Sequence, residues 1–373
     1  MGNHKMIISG IRVYQLHLPL IKPYWLSGGR LKFESLDSTI VRIDTDVGIT
    51  GWGEGCPWGD TYLPAFGKGI RAVLALLAPQ LIGHNPLQLD NINRIMDTAL
   101  PGHPYGKSPI DIACWDILGQ TSGLSVVDLL GGRATGPVPI ASSVSTATPE
   151  EMLNTIKGYR ATGYCVHSAK VGADVTLDIE RIKFLHAHRA ADESIFFDVN
   201  RAWLPNQAIT VMNSVRELPV WFEQPCETLD ECKQVRNQTS HPICIDEGLQ
   251  GYSDLLHIHR ESISEIVNIK INRVGGLSKA KRIRDFCLET GLAMLVMETG
   301  GTVLADTAAV HLAQSIPAER MLGTWLCHEL LSHDMALGAG ARNNQGHTAV
   351  PKVSGIGVAP DYASLGDPIA VYE

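Results

Sequence analysis

The chain has 373 residues, 45% of them hydrophobic, which is enough for one large or two medium-sized domains with real cores. Its net charge of −8 and the absence of any basic run argue against nucleic acid or an anionic membrane as the main partner. No stretch approaches 18 apolar residues, the start "MGNHKMIISG" lacks a signal-peptide core, and the eight cysteines form no C-x-x-C pair. We therefore expect a soluble cytoplasmic protein, whose first five residues are either an artificial addition or a long native start.

The first third of the chain is predicted to be an α+β domain over residues 1–132. Residues 6–55 contain alternating apolar runs typical of antiparallel strands, two of them joined by a turn at "DTDVG". From about residue 66 to 130 the period becomes helical, and Ser108 before Pro109 has the character of a helix N-cap.

The rest of the chain contains repeated βα units, in which short apolar runs alternate with room for one helix. Units of this number and spacing predict a closed parallel (β/α) barrel over residues 133–335. An open doubly wound sheet is the alternative, but no G-x-G-x-x-G follows any strand. The glycine-rich residues 336–373 are expected to form a tail that returns to the first domain. The predicted strands are 138–146, 165–172, 194–200, 219–225, 242–248, 265–272 and 292–301.

Five charged side chains lie near the ends of successive strands, each one βα unit after the last. Because the carboxyl ends of barrel strands meet at one mouth, we expect the five to converge there. Three carboxylates in one space repel each other unless a cation lies among them, and hard oxygen ligands suit Mg²⁺. Any single carboxylate could be an ordinary strand-end charge or a helix cap, but five in register argue for a site. They are Lys170, Asp198, Glu223, Asp246 and Lys270.

The run "IVNIKINRVGG" shows how the lysines fit. Alternation places Asn268, Lys270 and Asn272 on the inner face of the strand. Taken alone, Lys270 would be a solvated edge residue, but its position facing the carboxylates gives it a chemical role. Mg²⁺ on a substrate carboxylate stabilises an enediolate, and lysines on opposite walls can address both faces of the α-carbon. Proximity to the metal and to each other is expected to lower a lysine pKa toward neutrality.

This pattern resembles the enolase superfamily, in its muconate-lactonizing subgroup, over essentially the whole chain. The resemblance implies an α/β fold, a modified (β/α)8 barrel with an N-terminal α+β capping domain. It also implies that Asp198, Glu223 and Asp246 bind one Mg²⁺, and that Lys170 and Lys270 are the acid/base pair.

The sequence departs from the subgroup at three strands. The usual Lys-x-Lys of the second strand is "SAK", so that Ser168 either reflects harmless drift, orients Lys170 or touches the substrate. The seventh strand offers Glu298 and no histidine, which disfavours the acid-sugar dehydratases. The eighth offers Trp325 and no Asp-x-Asp, which disfavours a dipeptide substrate.

Two glycine-bearing loops of the first domain, 24–30 and 56–67, correspond to loops that close over the substrate in this family. They resemble those of superfamily members acting on proline derivatives. Their aromatic residues either line such a lid, and then contact substrate more than they stabilise the fold, or belong to the core. The substrate-binding candidates are Ser168, Trp25, Trp58, Tyr62, Asn200, Glu298 and Trp325.

The resemblance implies dehydration of cis-3-hydroxy-L-proline to a pyrroline carboxylate, with Lys170 as base and Lys270 as acid. Two alternatives stay open. One is a racemase or 2-epimerase of a proline derivative such as hydroxyproline betaine. The other is a non-catalytic barrel that serves as a binding protein, although such a protein would be expected to lose one of the five polar positions. The expected partners are a small-molecule substrate and further copies of the chain in a homo-oligomer.

Overall fold

The structure is a computed structural model that describes residues 6–336 and 339–373; the five N-terminal residues discussed above lie outside the described part. The α+β region begins with an antiparallel sheet in which β2 pairs with both β1 and β3, as the alternating runs predict. Helices then pack on this sheet. The elements are β1 (Ile8–Leu26), β2 (Leu31–Thr45), β3 (Thr50–Gly55), α1 (Gly67–Leu81), α2 (Leu89–Ala99), α3 (Pro104–Ser122) and α4 (Val126–Leu129).

The predicted βα units are all present, and the barrel prediction is confirmed. The elements are β4 (Val138–Pro139), β5 (Ala141–Val144), α5 (Pro149–Ala161), β6 (Val166–Lys170), α6 (Val175–His188), β7 (Ser194–Asp198), α7 (Pro205–Ser214), β8 (Phe222–Glu223), α8 (Leu229–Arg236), β9 (Ile243–Ile245), α9 (Tyr252–Arg260), β10 (Ile266–Lys270), α10 (Ile271–Val274), α11 (Leu277–Thr290), β11 (Ala293–Met297), α12 (Val303–Gln314) and β12 (Met321–Gly323).

Eight parallel strands run in sequence order from β5 to β12 around the barrel. The two ends of this sheet meet, since the Ala141 N–H donates to the Thr324 carbonyl at 2.7 Å. Alternation along the strands sorts the side chains into two sets. Phe196 packs inside the barrel with residues of the facing strands, whereas Phe197 and Phe222 pack outward in the core shared with the helices.

Helix α3 packs closely on β3 because the strand presents a row of glycines. Gly51, Gly53 and Gly55 alternate in "GWGEG" and therefore share one face. A Cβ atom on Gly53 would lie 1.9 Å from the Pro109 carbonyl oxygen, and one on Gly51 would lie 2.2 Å from that of Ala113. Any larger side chain there would push the helix away from the sheet.

The N-cap predicted at Ser108 is wrong. Helix α3 begins at Pro104, which takes the first helical position, so that Ser108 lies inside the helix and is fully buried. A proline at this position suits the helix start because its fixed φ is helical and its missing N–H would have no partner there.

The end of the chain adds three short elements, β13 (His347–Thr348), α13 (Tyr362–Leu365) and β14 (Ala370–Tyr372). Strand β14 pairs antiparallel with β1, where Tyr372 lies opposite Ile11. None of the helices in the described part of the chain is long and apolar enough to cross a membrane.

A buried carboxylate joins the N-terminal sheet to the barrel. Glu54 on β3 is fully buried and accepts hydrogen bonds from the Thr302 N–H at 2.9 Å and the Ala305 N–H at 3.2 Å. It also accepts from the hydroxyls of Thr302 and Ser38, each at 2.6 Å. Burial raises the pKa of Glu54 although these donors oppose the shift. Glu54 therefore satisfies the first turn of α12 from the other domain.

We predict that Glu54→Ala will lower the free energy of unfolding by at least about 3 kcal/mol, because it leaves several buried donors without an acceptor. Urea denaturation measures the change. The matched control is Glu34→Ala on β2, whose side chain is 68% exposed and which should unfold as the wild type does. Equal stability of the Glu54→Ala variant and the wild type would show that water replaces the carboxylate.

Candidate active site

A cavity of about 60 Å³ lies at the carboxyl ends of the barrel strands, beneath the loops of the first domain. Lys170, Asp198, Glu223 and Lys270 all line it, whereas Asp246 is buried behind it and 1% exposed. The structure thus gathers the five charged residues at one place. In a sheet of eight strands, β6 and β10 are four positions apart in either direction around the barrel, so Lys170 and Lys270 face each other across it.

The lysines are ion-paired with the carboxylates. Lys170 Nζ contacts Asp198 Oδ2 in a short ion pair, and Lys270 Nζ lies 3.0 Å from Asp246 Oδ2. A third cation, Arg273 on α10, places Nη1 2.7 Å from the other oxygen of Asp246 and is itself 2% exposed. These three cations offset the charge of the buried carboxylates.

Arg273 was missed by sequence reasoning. It follows β10 in a short helix, where strand alternation gives no direction for its side chain. Its Nε donates to the Leu249 carbonyl at 2.9 Å and its Nη2 to the Asn268 carbonyl at 3.0 Å. The guanidinium therefore ties together the chain segments that follow β9 and the end of β10.

The pKa values of Glu223 and Asp246 are shifted in opposite directions. Burial raises the pKa of Glu223 well above its ordinary value, and the neighbouring charges of Asp198 and Asp246 raise it further. For Asp246 burial acts in the same direction, but Arg273 and Lys270 outweigh it and lower the pKa. Negative charge is therefore less compensated at Glu223 than at Asp246.

The expected lowering of a lysine pKa depends on the metal, and the groups of the chain by themselves shift the pKa of Lys170 the other way. Burial alone lowers the pKa of this ammonium group, but the charge of Asp198, followed by Tyr24 and Glu223, reverses the effect and raises it. The carboxylates that Lys170 compensates thus favour its ammonium form, and a cation bound among them would oppose this effect.

The donor set of the three carboxylates suits Mg²⁺, which prefers hard oxygen ligands. Within residues 6–336 and 339–373, no three His, Cys, Asp or Glu side chains already stand in a ligating arrangement, and lysine ammonium groups compensate Asp198 and Asp246 instead. Burial, followed by the charges of Asp198 and Asp246, raises the pKa of Glu223, and a cation among these carboxylates would stabilise its ionised form. Asp198, Glu223 and Asp246 are the oxygen donors that could hold such a metal.

Strained turns fix the ends of the ligand strands. Two and three residues after β7 ends, Asn200 and Arg201 have φ of 46° and 64°, and directly after β8, Gln224 has φ of 38°. Such values are uncommon for residues other than glycine and persist where the surroundings enforce them. The Gln224 Oε1 atom accepts from the N–H groups of Asp246 and Gly248, both at 3.0 Å, and so fixes the start of the next loop.

An aromatic wall covers the cavity. The rings of Tyr24, Trp58 and Trp325 contact one another, with centroids 5.0, 5.8 and 6.4 Å apart. The Tyr24 hydroxyl forms a short hydrogen bond with Ser143, which also lines the cavity. Sequence reasoning missed Tyr24 and Ser143, although alternation along β1 does place Tyr24 opposite in direction to its neighbour Trp25.

Two candidates do not reach the cavity. Trp25 projects from the face of β1 opposite to Tyr24 and is 44% exposed. Its ring centroid lies 5.7 Å from Lys32 Nζ. Glu298 is fully buried and accepts from the N–H of Asn272 at 3.1 Å and from its side-chain amide at 2.9 Å. Asn272 belongs to α10 rather than to the strand, which corrects its predicted place on the inner face with Lys270.

The other candidates line the cavity with the two lysines: Ser168, Trp58, Tyr62, Asn200 and Trp325. Thr299, which sequence reasoning also missed, lines it too and exchanges a 2.7 Å hydrogen bond with the Tyr105 hydroxyl. The cavity therefore combines aromatic faces with the hydroxyl groups of Ser143, Ser168 and Thr299.

Comparison with known families identifies the class of protein. Residues 12–131 match the mandelate racemase/muconate lactonizing enzyme N-terminal domain, and residues 151–364 match the enolase C-terminal domain-like family. The chain belongs to the enolase superfamily, and the prediction of that family is confirmed.

Individual relatives narrow the comparison. The cis-3-hydroxy-L-proline dehydratase of Roseibium aggregatum is 40% identical over 98% of this chain and 100% of its own length. The N-succinyl-L-Arg/Lys racemase of Bacillus cereus is 32% identical over 83% of this chain and 85% of its own length. An enolase superfamily member from Roseovarius nubinhibens, solved in complex with magnesium, is 52% identical over 99% of this chain and 100% of its own, with a TM-score of 0.95.

We predict that Trp58→Phe will raise KM roughly two- to tenfold, because it shrinks one ring of the aromatic wall. Steady-state kinetics and the melting temperature are measured together. The control is Trp52→Phe, which alters a ring that is as buried as Trp58 but packs on Tyr14 away from the cavity. It should lower the melting temperature and leave KM unchanged. If Trp58→Phe behaves in the same way, Trp58 is a structural residue.

Proposed function

We propose that this enzyme dehydrates cis-3-hydroxy-L-proline to a pyrroline carboxylate, by removing the α-proton and then the 3-hydroxyl group. The observation that carries the proposal is the placement of Lys170 and Lys270 on opposite walls of one cavity. The full-length similarity to the Roseibium aggregatum dehydratase supports the same substrate.

The stereochemistry of this substrate calls for two groups on opposite faces. In the cis isomer the hydroxyl lies on the ring face of the carboxylate, so the α-proton lies on the other face. Anti elimination then needs a base on one side and an acid on the other. We assign Lys170 as the base, beside Ser168, and Lys270 as the acid that protonates the departing hydroxyl.

Asp198, Glu223 and Asp246 would hold one Mg²⁺. When bound, the metal supplies positive charge that stabilises the oxygens of the enediolate. The residues of this chain do the rest. The lysines move protons at the α-carbon and the 3-hydroxyl, and the loops of the first domain exclude water from both.

The cavity favours a secondary ammonium over a quaternary one. A quaternary ammonium interacts with aromatic faces alone, whereas the ring N–H groups of a hydroxyproline also need acceptors. Tyr24, Trp58 and Trp325 supply the faces, and the hydroxyls of Ser143, Ser168 and Thr299 supply acceptors beside them. This favours the dehydratase over a 2-epimerase of hydroxyproline betaine.

Metal dependence is tested with Asp246→Asn and Glu223→Gln. Both variants should lose nearly all turnover and bind Mg²⁺ more weakly in isothermal titration, because each loses a charged ligand. Asp246 also pairs with two buried cations, so its replacement disturbs the fold more. Glu223→Gln is therefore the cleaner test of metal binding. Asp230→Asn, at a side chain that is 89% exposed, is the control. Full activity in excess chelator would refute the metal requirement.

The roles of the lysines are tested by deuterium exchange at the α-carbon in D₂O, followed by NMR. Lys170→Ala should lose both exchange and elimination. Lys270→Ala should lose elimination and keep exchange, because the base can still remove and return the proton. Lys281→Ala on the surface of α11 is the control. The reverse pattern would make Lys270 the base and Lys170 the acid. Normal deuterium exchange in both variants would refute the two-lysine mechanism. Exchange by the wild type without loss of the 3-hydroxyl would indicate an epimerase.

A further inference from the structure

Glu247 is a buried acid with no role in the proposed chemistry. It follows Asp246 in the chain and is 2% exposed, yet it does not line the catalytic cavity. Its Oε1 atom accepts a hydrogen bond from the Tyr62 hydroxyl at 2.5 Å and from the Asn200 side-chain amide at 3.3 Å. Burial of a carboxylate is costly unless its partners compensate it, so these contacts are part of a built site.

Tyr62 lies on the loop 56–67, here called the lid loop, and the barrel holds it at more than one point. Arg201 Nη2 donates to the Tyr62 carbonyl at 2.6 Å, and the guanidinium carbon lies 5.3 Å from the centroid of its ring. Arg201 also places Nε 3.8 Å from Glu247 and Nη1 2.8 Å from Glu227. Glu247 thus binds the hydroxyl group of Tyr62, and Arg201 contacts the carbonyl and the ring of Tyr62.

Asn200 connects the same junction to the metal-ligand strand and to the other loop. Its N–H donates to Asp198 Oδ1 at 3.0 Å, and its carbonyl accepts from the Ser27 hydroxyl at 3.0 Å. Both loops of the first domain are therefore fastened where β7 and β9 end, next to two of the three carboxylates.

We propose that Glu247 is a positioning residue for substrate enclosure, acting through Tyr62 and Asn200 rather than on the reacting atoms. Its carboxylate fastens the lid loop to the barrel and thereby sets the wall of the cavity that Tyr62 and Asn200 line. The loop's anchorage is independent of the reaction, whereas its kinetic consequence rests on the proposed function.

The anchorage is tested by hydrogen–deuterium exchange of the peptide covering residues 56–67. Glu247→Gln removes the charge, and Tyr62→Phe removes the hydroxyl. Each should speed exchange of the lid loop about tenfold, the size expected for a charge-assisted hydrogen bond. The double variant should exchange no faster than the faster single variant, because both changes break one contact.

The matched control is Glu227→Gln, which removes the other carboxylate partner of Arg201, a side chain that is 61% exposed. It should exchange as the wild type does. Unchanged exchange in Glu247→Gln and Tyr62→Phe would overturn the proposal. If Glu247→Gln fails to fold, Tyr62→Phe alone decides, since that change leaves the barrel intact.

Kinetics supply the second readout. With cis-3-hydroxy-L-proline, Glu247→Gln and Tyr62→Phe should raise KM about tenfold and change kcat less than about threefold, because the contact acts on bound substrate and transition state alike. A lower melting temperature with unchanged KM would make Glu247 purely structural. If the wild type does not turn over this substrate, the proposed function is wrong. The hydrogen–deuterium exchange experiment still tests the anchorage of the lid loop, because it does not require a substrate.

Discussion

Negative charge buried among adjacent strands is the constraint on which the site depends. Asp198, Glu223 and Asp246 end three neighbouring strands and are each less than 5% exposed, so water cannot compensate them. Lys170 pairs with Asp198, and Lys270 and Arg273 both pair with Asp246, so an apolar replacement of Lys170 would leave a buried carboxylate without its ion-pair partner. The groups assigned to proton transfer therefore also hold the barrel mouth together.

The first domain shields the ion pairs of these lysines from water. Ion pairs strengthen as water is excluded, and the aromatic wall of Tyr24, Trp58 and Trp325 excludes it on one side. Glu54 also joins the two regions, through the first turn of α12. The first domain thus contributes to both the electrostatics and the stability of the catalytic domain.

Much of this arrangement could be predicted from the sequence because strands repeat with a fixed period. The repeated βα units predict the barrel, and the spacing of the five charged residues predicts its mouth, without knowledge of any contact. The errors arise where that period stops. Arg273 and Asn272 follow the end of β10 in a helical turn, and Ser108 lies in a helix that Pro104 had already begun. Tyr24 and Ser143 required knowledge of which face of β1 meets the barrel, and this depends on packing between distant segments.

The size of the cavity has a kinetic consequence. Only about 60 Å³ is open inside a wall whose polar groups are buried, and the wall includes side chains from both loops of the first domain. A substrate bound at the lysines would contact both loops, so their displacement would accompany its entry and its release. Where that displacement is slower than proton transfer, loop movement rather than chemistry at the lysines sets the turnover rate. Selection for speed would then act on the hinges of the first domain as much as on the barrel.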